Sequence, residues 1–163
     1  MKKHEIGMSL VEILIVVAVF AVLGVLTAQS VMITLRGSRK SEAQIKVREN
    51  VNYAFSIIER QLRSADEITA CPNPNPLTIS YKTLEGQIST FTCTVGASGY
   101  IASGSGRLTS TDVAVDRCTI SCQKGNENLP AKVSVAVTAH ETNTSGIETG
   151  VVSMQTEIVT RNY

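Results

Sequence analysis

A single carboxylate, Glu12, stands at the entrance to an otherwise uncharged part of the chain. From Ile13 to Leu35 there are 23 residues without a charge, which is long enough for a helix to cross a bilayer at about 1.5 Å per residue. A charge at the bilayer centre costs roughly 2.5–3.5 kcal/mol, and less near the edge. Because a carboxylate is costly there without a partner, we expect Glu12 to have both a partner and a role.

Four cysteines follow the apolar run, and they are Cys71, Cys93, Cys118 and Cys122. An even number of cysteines in an exported segment predicts disulfides, and the sequence leaves all three pairings open. The alternative is a zinc site with four thiolate ligands. The spacings of 22, 25 and 4 residues lack the paired CxxC knuckles of zinc ribbons, so disulfides are favoured and no metal is expected.

Few residues are suited to catalysis. His140 stands beside Glu141, and the sequence contains no HExxH, GxSxG or glycine-rich phosphate loop. A solvated strand end is therefore the favoured interpretation of His140. Asp112 and Asp116 flank a short apolar stretch and could bind Ca²⁺ together with loop carbonyls, but two carboxylates are too few for a cage of about six to eight oxygens. The sequence predicts neither an enzyme nor a cofactor.

Basic residues in two places could contact an anionic partner. Three follow the apolar run: Arg36, Arg39 and Lys40. A solvated helix face next to the membrane is the favoured interpretation of these three. Three more lie in the C-terminal part: Arg117, Lys124 and Lys132. They would have to form one patch to bind DNA. The 163-residue chain has a formal net charge of only +1, so nucleic acid is an unsupported partner.

The N-terminal residues from Lys2 to Leu14 read KKHEIGMSLVEIL. This order resembles the class III signal of type IV pilins and type II secretion pseudopilins. That signal has a basic leader ending in Gly, a hydrophobic residue, a small polar one, two aliphatics, a Glu and an apolar helix. The resemblance implies that a prepilin peptidase removes the leader, residues 1–7, by cutting between Gly7 and Met8, and methylates Met8. Family members most often have Phe there, so Met8 is a departure.

Processing would give Glu12 a partner. A chain that starts at Met8 carries a positive amine, and Glu12 lies four residues on, about one helical turn away. Amine and carboxylate can neutralise each other within one chain or between neighbouring chains, which offsets the cost of removing each charge from water. We therefore expect Glu12 to set docking and register between subunits. The alternative is a plain signal anchor with an incidental Glu near the interface.

The helical pattern continues beyond the apolar run. Apolar residues recur at spacings of four, three, four, four and three: Val47, Val51, Ala54, Ile58, Leu62 and Ala65. This is an amphipathic stripe, and no Pro precedes Pro72. The sequence therefore predicts one helix over residues 8–68, with residues 9–35 as the transmembrane and assembly segment.

Residues 69–163 are predicted to form a β-rich head. Alternating prolines from Cys71 to Pro76 exclude a helix there. The predicted strands are Leu77–Thr83, Gln87–Val95, Val113–Val115, Cys118–Ser121, Lys132–Ala139 and Val151–Thr160, and Gly96–Gly106 is predicted to be a loop or weak edge strand. This order again resembles pilins, which implies an α+β fold in which the second half of the helix packs against a C-terminal antiparallel sheet.

Two further segments are similar to minor pilins and minor pseudopilins of the J or W type: Glu49–Asp66 and Gln155–Asn162. The resemblance implies a minor type IV pilin or pseudopilin that serves adhesion, motility, DNA uptake or type II secretion. Its implied partners are the prepilin peptidase, major and other minor pilins, the inner-membrane assembly machinery and membrane lipid before assembly. The alternative is a single-pass, membrane-anchored extracellular binding module that is not assembled into filaments.

Orientation in the membrane rests on conflicting signals. Lys2 and Lys3 lie on the leader side and are partly offset by Glu5, whereas a larger basic cluster lies beyond the span. Taken alone, the positive-inside rule favours the reverse orientation or no orientation at all. The cysteines and the Ser/Thr-rich composition of the head favour export of the C-terminal part. We therefore expect the leader inside and the head outside the cytoplasmic membrane, followed by a place in a surface pilus or periplasmic pseudopilus.

Overall fold

The structure is a computed structural model that describes residues 9–70, 77–123, 125, 129–143, 146 and 149–160. Its elements are α1 (Leu10–Arg63), β1 (Ala65–Ala70), β2 (Leu77–Thr83), β3 (Ile88–Cys93), β4 (Ile101–Ser103), β5 (Gly106–Arg107), β6 (Val113–Gln123), β7 (Lys132–Glu141) and β8 (Val151–Val159). The predicted α+β architecture, a long N-terminal helix that packs against antiparallel sheet, is confirmed. The chain divides between Arg39 and Lys40 into two compact units.

The first unit contains α1 as far as Arg39. The helix begins with the amide groups of Glu12 and Ile13 donating to the Ser9 carbonyl at 3.0 and 3.3 Å. Every described side chain of this unit is exposed. Thr27 Oγ1 donates back to the Leu23 carbonyl at 3.0 Å, so this hydroxyl in the apolar run is satisfied inside the helix itself.

The second unit begins with α1 from Lys40 onward, and here the helix has one buried side. Its buried residues are Ala43, Val47, Val51, Ala54, Phe55, Ile58 and Leu62. They recur at the three- and four-residue spacing that brings side chains to one helical face. The predicted amphipathic stripe is therefore confirmed through Leu62, and it packs in a single core with side chains from both sheets.

The strands form two antiparallel sheets of adjacent neighbours, β1-β2-β3-β4-β5 and β6-β7-β8. The predicted hairpin is confirmed as β2 and β3, whose tight turn contains Gly86 at a φ of 81°. A left-handed φ suits glycine because it has no Cβ. Ile79 and Phe91 pair across this hairpin, and both are buried under α1 in the common core.

The helix ends earlier than the sequence pattern predicted. Residues 8–68 were predicted to be helical, but α1 ends at Arg63 and β1 follows. Ser64 Oγ lies 3.1 Å from the carbonyl oxygens of Arg60 and Gln61. A hydroxyl that donates to the last helical carbonyls satisfies groups for which a helix end has no internal partner.

Burial alone does not distinguish helix from strand just after Arg63. Ala65 and Ile68 are both buried in β1, and their three-residue spacing also continues the helical stripe. The backbone decides the outcome, because β1 gains antiparallel pairing with β2 from Ala65↔Thr83 to Ala70↔Ser80. Tertiary pairing of this kind routinely overrides local propensity.

One strand prediction also needs correction. Val113–Val115 and Cys118–Ser121 belong to one strand, β6, which pairs with β7 along its whole length. The register of this pairing shifts between Val115 and Arg117. Asp116 is the extra residue of this bulge, which breaks the alternation without ending the strand. The segment Gly96–Gly106, predicted to be a loop or weak edge strand, contains the three-residue β4 and the start of β5, the edge strand of the five-stranded sheet. The remaining predicted strands correspond to β2, β3, β7 and β8 within two residues at each end.

Candidate assembly helix and head contacts

Glu12 lies in the first turn of α1 and is exposed. The residues that follow it, Ile13–Leu35, are uncharged, and each is exposed. Gly7 and Met8, the predicted cleavage site and methylated residue, lie outside the described residues. The structure therefore places Glu12 at the helix entrance, as expected, and leaves the predicted pairing with the Met8 amine a prediction.

The apolar half of α1 exposes large side chains on all sides. Phe20 and Ile33 are 70% and 72% exposed, and Val16, Val17 and other neighbours on different faces are exposed as well. In the part of the chain that the structure describes, α1 alone is long and apolar enough to cross a membrane. A helix that is apolar all round needs an apolar environment, either lipid or neighbouring helices.

The basic residues after the apolar run lie on exposed helix surface, as predicted. Arg36 and Arg39 close the first unit and Lys40 opens the second, and each is exposed. Of the three head residues considered for DNA binding, the two that the structure describes do not lie in one patch. Arg117 and Lys132 lie on β6 and β7, about 20 Å apart by strand rise, and Lys132 pairs with Glu157 at 2.9 Å. Lys124 lies outside the described residues.

Polar side chains of α1 fix the helix to the head. Lys46 Nζ lies 2.9 Å from Glu141 Oε1 and 3.2 Å from Asp112 Oδ2. Its hydrogen bond to Glu141, followed by that to Asp112, raises the pKa of Lys46 above its ordinary value. One cation thus ties the helix to the end of β7 and to the residue that precedes β6.

Further along α1, two amides make equivalent contacts. Asn50 Oδ1 accepts a hydrogen bond from the Ser110 amide at 3.0 Å. Gln61 Oε1 accepts from the hydroxyls of Tyr81 at 2.9 Å and Ser103 at 3.0 Å, so it joins the helix to β2 and β4. These amides select one rotation of the helix over the sheet, because a turned helix would leave them without these donors.

Sequence reasoning missed these helix contacts, and it also missed the contact of Glu59. In the structure Glu59 accepts a hydrogen bond from Thr156 Oγ1 on β8. Lys46 and Asn50 each stand one residue before a stripe position, Val47 and Val51. Their position at the border of the apolar stripe could have predicted these contacts, because long side chains at the border can reach polar groups at the edge of the sheets that cover the stripe.

Asp112 and Asp116 do not converge on one site. Asp112 contacts Lys46 at 3.2 Å and Asn143 Nδ2 at 3.4 Å. Asp116 Oδ2 lies 2.8 Å from His140 Nδ1. The described residues contain no group of three His, Cys, Asp or Glu side chains placed to hold a metal ion. His140 is the last residue but one of β7, at the strand end as predicted, and its side chain is 26% exposed.

A disulfide between Cys93 and Cys118 joins β3 of one sheet to β6 of the other, with Cα atoms 6.4 Å apart. Both residues are buried. Cys122 is also disulfide-bonded, and Cys71 lies outside the described residues. The zinc alternative fails for Cys93 and Cys118, because sulfurs bonded to each other are not thiolate ligands. Only one of the three pairings that the sequence left open contains this bond. In that pairing the partner of Cys122 is Cys71, which we therefore predict.

A scan against protein-family models, a search of curated proteins and a search of solved structures each returned no match to this chain.

Proposed function

We propose that the chain is a minor type IV pilin or pseudopilin, a structural subunit that is cut after Gly7 and assembled into a filament through its apolar helix. The single observation that carries the proposal is the exposed, uncharged helical run Ile13–Leu35 with one carboxylate at its entrance. Before assembly this run occupies the cytoplasmic membrane. In the filament the runs of several subunits bundle at the centre.

The division of α1 supports this proposal. Residues 40–63 bury their apolar stripe within the chain itself, whereas residues 10–39 have no buried side chain. A helix segment that remains apolar all round after the head has folded requires a second apolar environment. A bilayer followed by a bundle of like helices meets that requirement at both stages of a pilin's life.

Assignment as a minor rather than a major subunit rests on three features. The segments Glu49–Asp66 and Gln155–Asn162 resemble the J and W types, the apolar half of the helix has no proline, and the head carries four cysteines. Recovery of this chain as the bulk protein of a purified filament would contradict that assignment.

Substitution of Glu12 tests the assembly mechanism. Glu12→Ala removes the carboxylate that would neutralise a subunit amine in the bundle, so we expect its loss from the sheared filament fraction while its amount in membranes is unchanged. Glu42→Ala is the matched control, because Glu42 is an exposed carboxylate of the same helix in the second unit. Normal incorporation of Glu12→Ala into filaments would contradict the docking role.

A further inference from the structure

The sheet β6-β7-β8 has an open outer face, because α1 packs against the inner one. Along β7 buried residues alternate with more exposed ones, and Val133, Val135 and Val137 pack in the common core with the buried stripe of α1. The alternate residues of each strand therefore lie on the opposite, outer face. Those on β6 and β8 are exposed, so this face is available to a ligand.

A small side chain creates a hollow in the middle of the outer face. Ala136 lies between Thr119 on β6 and Gln155 on β8, and its side chain is a single methyl group. The hollow has a volume of about 260 Å³. The outer-face residues that line it are Arg117, Thr119, Ala136, Thr138, Ser153 and Gln155. All of them except Ala136 end in polar groups, so the hollow has a methyl floor and a polar rim.

Arg117 is the cation of this rim, and it has no acidic partner. Its guanidinium makes no hydrogen bond or ion pair within the described ranges. Two other basic groups of the outer face are paired. Lys132 Nζ lies 2.9 Å from Glu157 Oε1. His140 Nδ1 lies 2.8 Å from Asp116 Oδ2. A guanidinium matches a carboxylate in a bidentate pair, so an unpaired one beside a hollow indicates an anionic ligand.

Hydrogen bonds between neighbours hold other parts of the rim in place. The hydroxyl oxygens of Thr138 and Ser153 lie 2.9 Å apart, and Gln155 Nε2 donates to Ser134 Oγ at 3.2 Å. Hydroxyl and amide groups such as these both donate and accept, and one bond does not exhaust them. Groups that are fixed before binding lose less conformational entropy when a ligand arrives. The rim is therefore suited to a ligand that carries several hydroxyl groups.

We propose that this hollow binds one carboxylate-bearing sugar unit of the uronic acid class, with its carboxylate on Arg117 and its ring over Ala136. The hydroxyls of the sugar bond to Thr119, Ser153 and Gln155. An acidic side chain of a peptide would use Arg117 alone and leave these groups to water. The volume lies just below the about 300–1,000 Å³ of sites for drug-sized ligands, which suits a single sugar ring. The site uses the head alone and does not depend on the proposed function.

Saturation-transfer NMR on the full chain in detergent micelles tests the site. The probe is methyl glucuronide, and methyl glucoside is its matched control because the two differ only in the carboxylate. We expect saturable binding of the glucuronide with a Kd of about 1 mM or below. The glucoside should bind at least about tenfold more weakly, because it cannot form the charge-assisted pair with Arg117. A glutamate capped at both ends stands for an acidic peptide and should also bind at least about tenfold more weakly.

Two substitutions remove different parts of the site. Arg117→Gln removes the cation and keeps a polar side chain, whereas Ala136→Leu fills the hollow and keeps the cation. Each should weaken binding of methyl glucuronide by about tenfold or more. Lys132→Gln is the matched control, since Lys132 is an exposed cation of the same face and lies about 13 Å from Ala136 along β7. Charges this far apart in water are largely screened, so its affinity should be unchanged.

Several results would overturn the proposal. One is the absence of saturable binding of methyl glucuronide to the wild-type chain, and another is an equal affinity for the glucuronide and the glucoside. Equal or tighter binding of the capped glutamate would favour an acidic peptide instead. Equal losses from Arg117→Gln and Lys132→Gln would assign binding to the general positive charge of the face, and an unchanged affinity of Ala136→Leu would exclude the hollow. Because each measurement uses the single chain, none of these results bears on filament assembly.

Discussion

The two parts of α1 both contain many aliphatic residues, but one part exposes them and the other buries them. Residues 10–39 expose every side chain, and no charge interrupts Ile13–Leu35. Residues 40–63 carry charges on several faces and bury one stripe against the head. The charges that flank the stripe in residues 40–63 leave that segment one apolar face to bury in the head, whereas the uncharged run is apolar on every face.

The largest expected effect comes from placing a carboxylate in each part. Leu23→Asp puts a charge near the middle of the uncharged run and should cost about 2.5–3.5 kcal/mol of insertion free energy. It should lower membrane integration, measured by carbonate extraction, without altering the folded head. Val47→Asp buries an unpaired charge in the core and should unfold the head, measured by protease resistance, without altering integration.

The same two variants could also contradict this view of the two parts of α1. If Leu23→Asp integrates as well as the wild-type chain, the first part is not a membrane segment. If both variants unfold the head, the two parts do not act independently.

Loss of the disulfide should affect the head alone. Replacing Cys93 and Cys118 by Ala releases a cross-link between residues 25 apart, and we expect the free energy of unfolding to fall by about 2–5 kcal/mol. Urea unfolding of the detergent-solubilised full chain, followed by circular dichroism in the β region, measures the change. Thr119→Ala, on the exposed face of β6, is the control and should shift stability by less than about 0.5 kcal/mol. Equal midpoints for the double variant and the wild-type chain would contradict this expectation.

A smaller effect is expected where a glycine lets the backbone approach the helix closely. A Cβ on Gly150 would lie 2.6 Å from backbone atoms of Ala43 and Gln44, closer than atoms can pack. Gly150→Ala should therefore destabilise the head by about 1–3 kcal/mol through displacement of the helix. Gly106→Ala is the control, since its Cβ would meet only the Ser103 carbonyl oxygen at 3.5 Å. Similar unfolding midpoints for both variants would show that the helix yields easily at this point.

The smallest expected effect concerns the Lys46 ion pairs. Because its contacts with Glu141 and Asp112 raise the pKa of Lys46, the stabilisation is fully present below the unfolded value of about 10.4. It is lost as the pH rises through the higher pKa of the folded state. The stability difference between wild type and Lys46→Met should therefore be constant near neutral pH and shrink in strong alkali. Lys132→Met removes a more exposed pair and should change little. A difference between wild type and Lys46→Met that is unchanged in strong alkali would contradict the assignment.

Features set by local periodicity could be predicted from the sequence. The apolar run, the stripe through Leu62 and the strict alternation of β7 follow from spacing alone, and the β2–β3 turn follows from Gly86 between two alternating runs. Features set by distant contacts could not. The end of α1 depends on β1 pairing with β2, and the bulge at Asp116 depends on the ladder with β7.

The candidate site divides in the same way. Glu12 and the span behind it are adjacent in sequence, so their relation could be stated from the residues. The disulfide partner of Cys93 could not, because it requires β3 and β6, which belong to different sheets, to lie next to each other. Likewise, Gly150 and Ala43 lie close together although they are more than a hundred positions apart in the sequence, so no local pattern could predict this contact.

The intact mass of the native protein, measured in a sheared cell-surface fraction and in membranes, tests the central claim most directly. We predict a chain that begins at methylated Met8 in both fractions, which would show processing and a place in a filament. A chain that still begins at Met1 and occurs only in membranes would contradict the filament account. It would instead favour a single-pass anchored binding module.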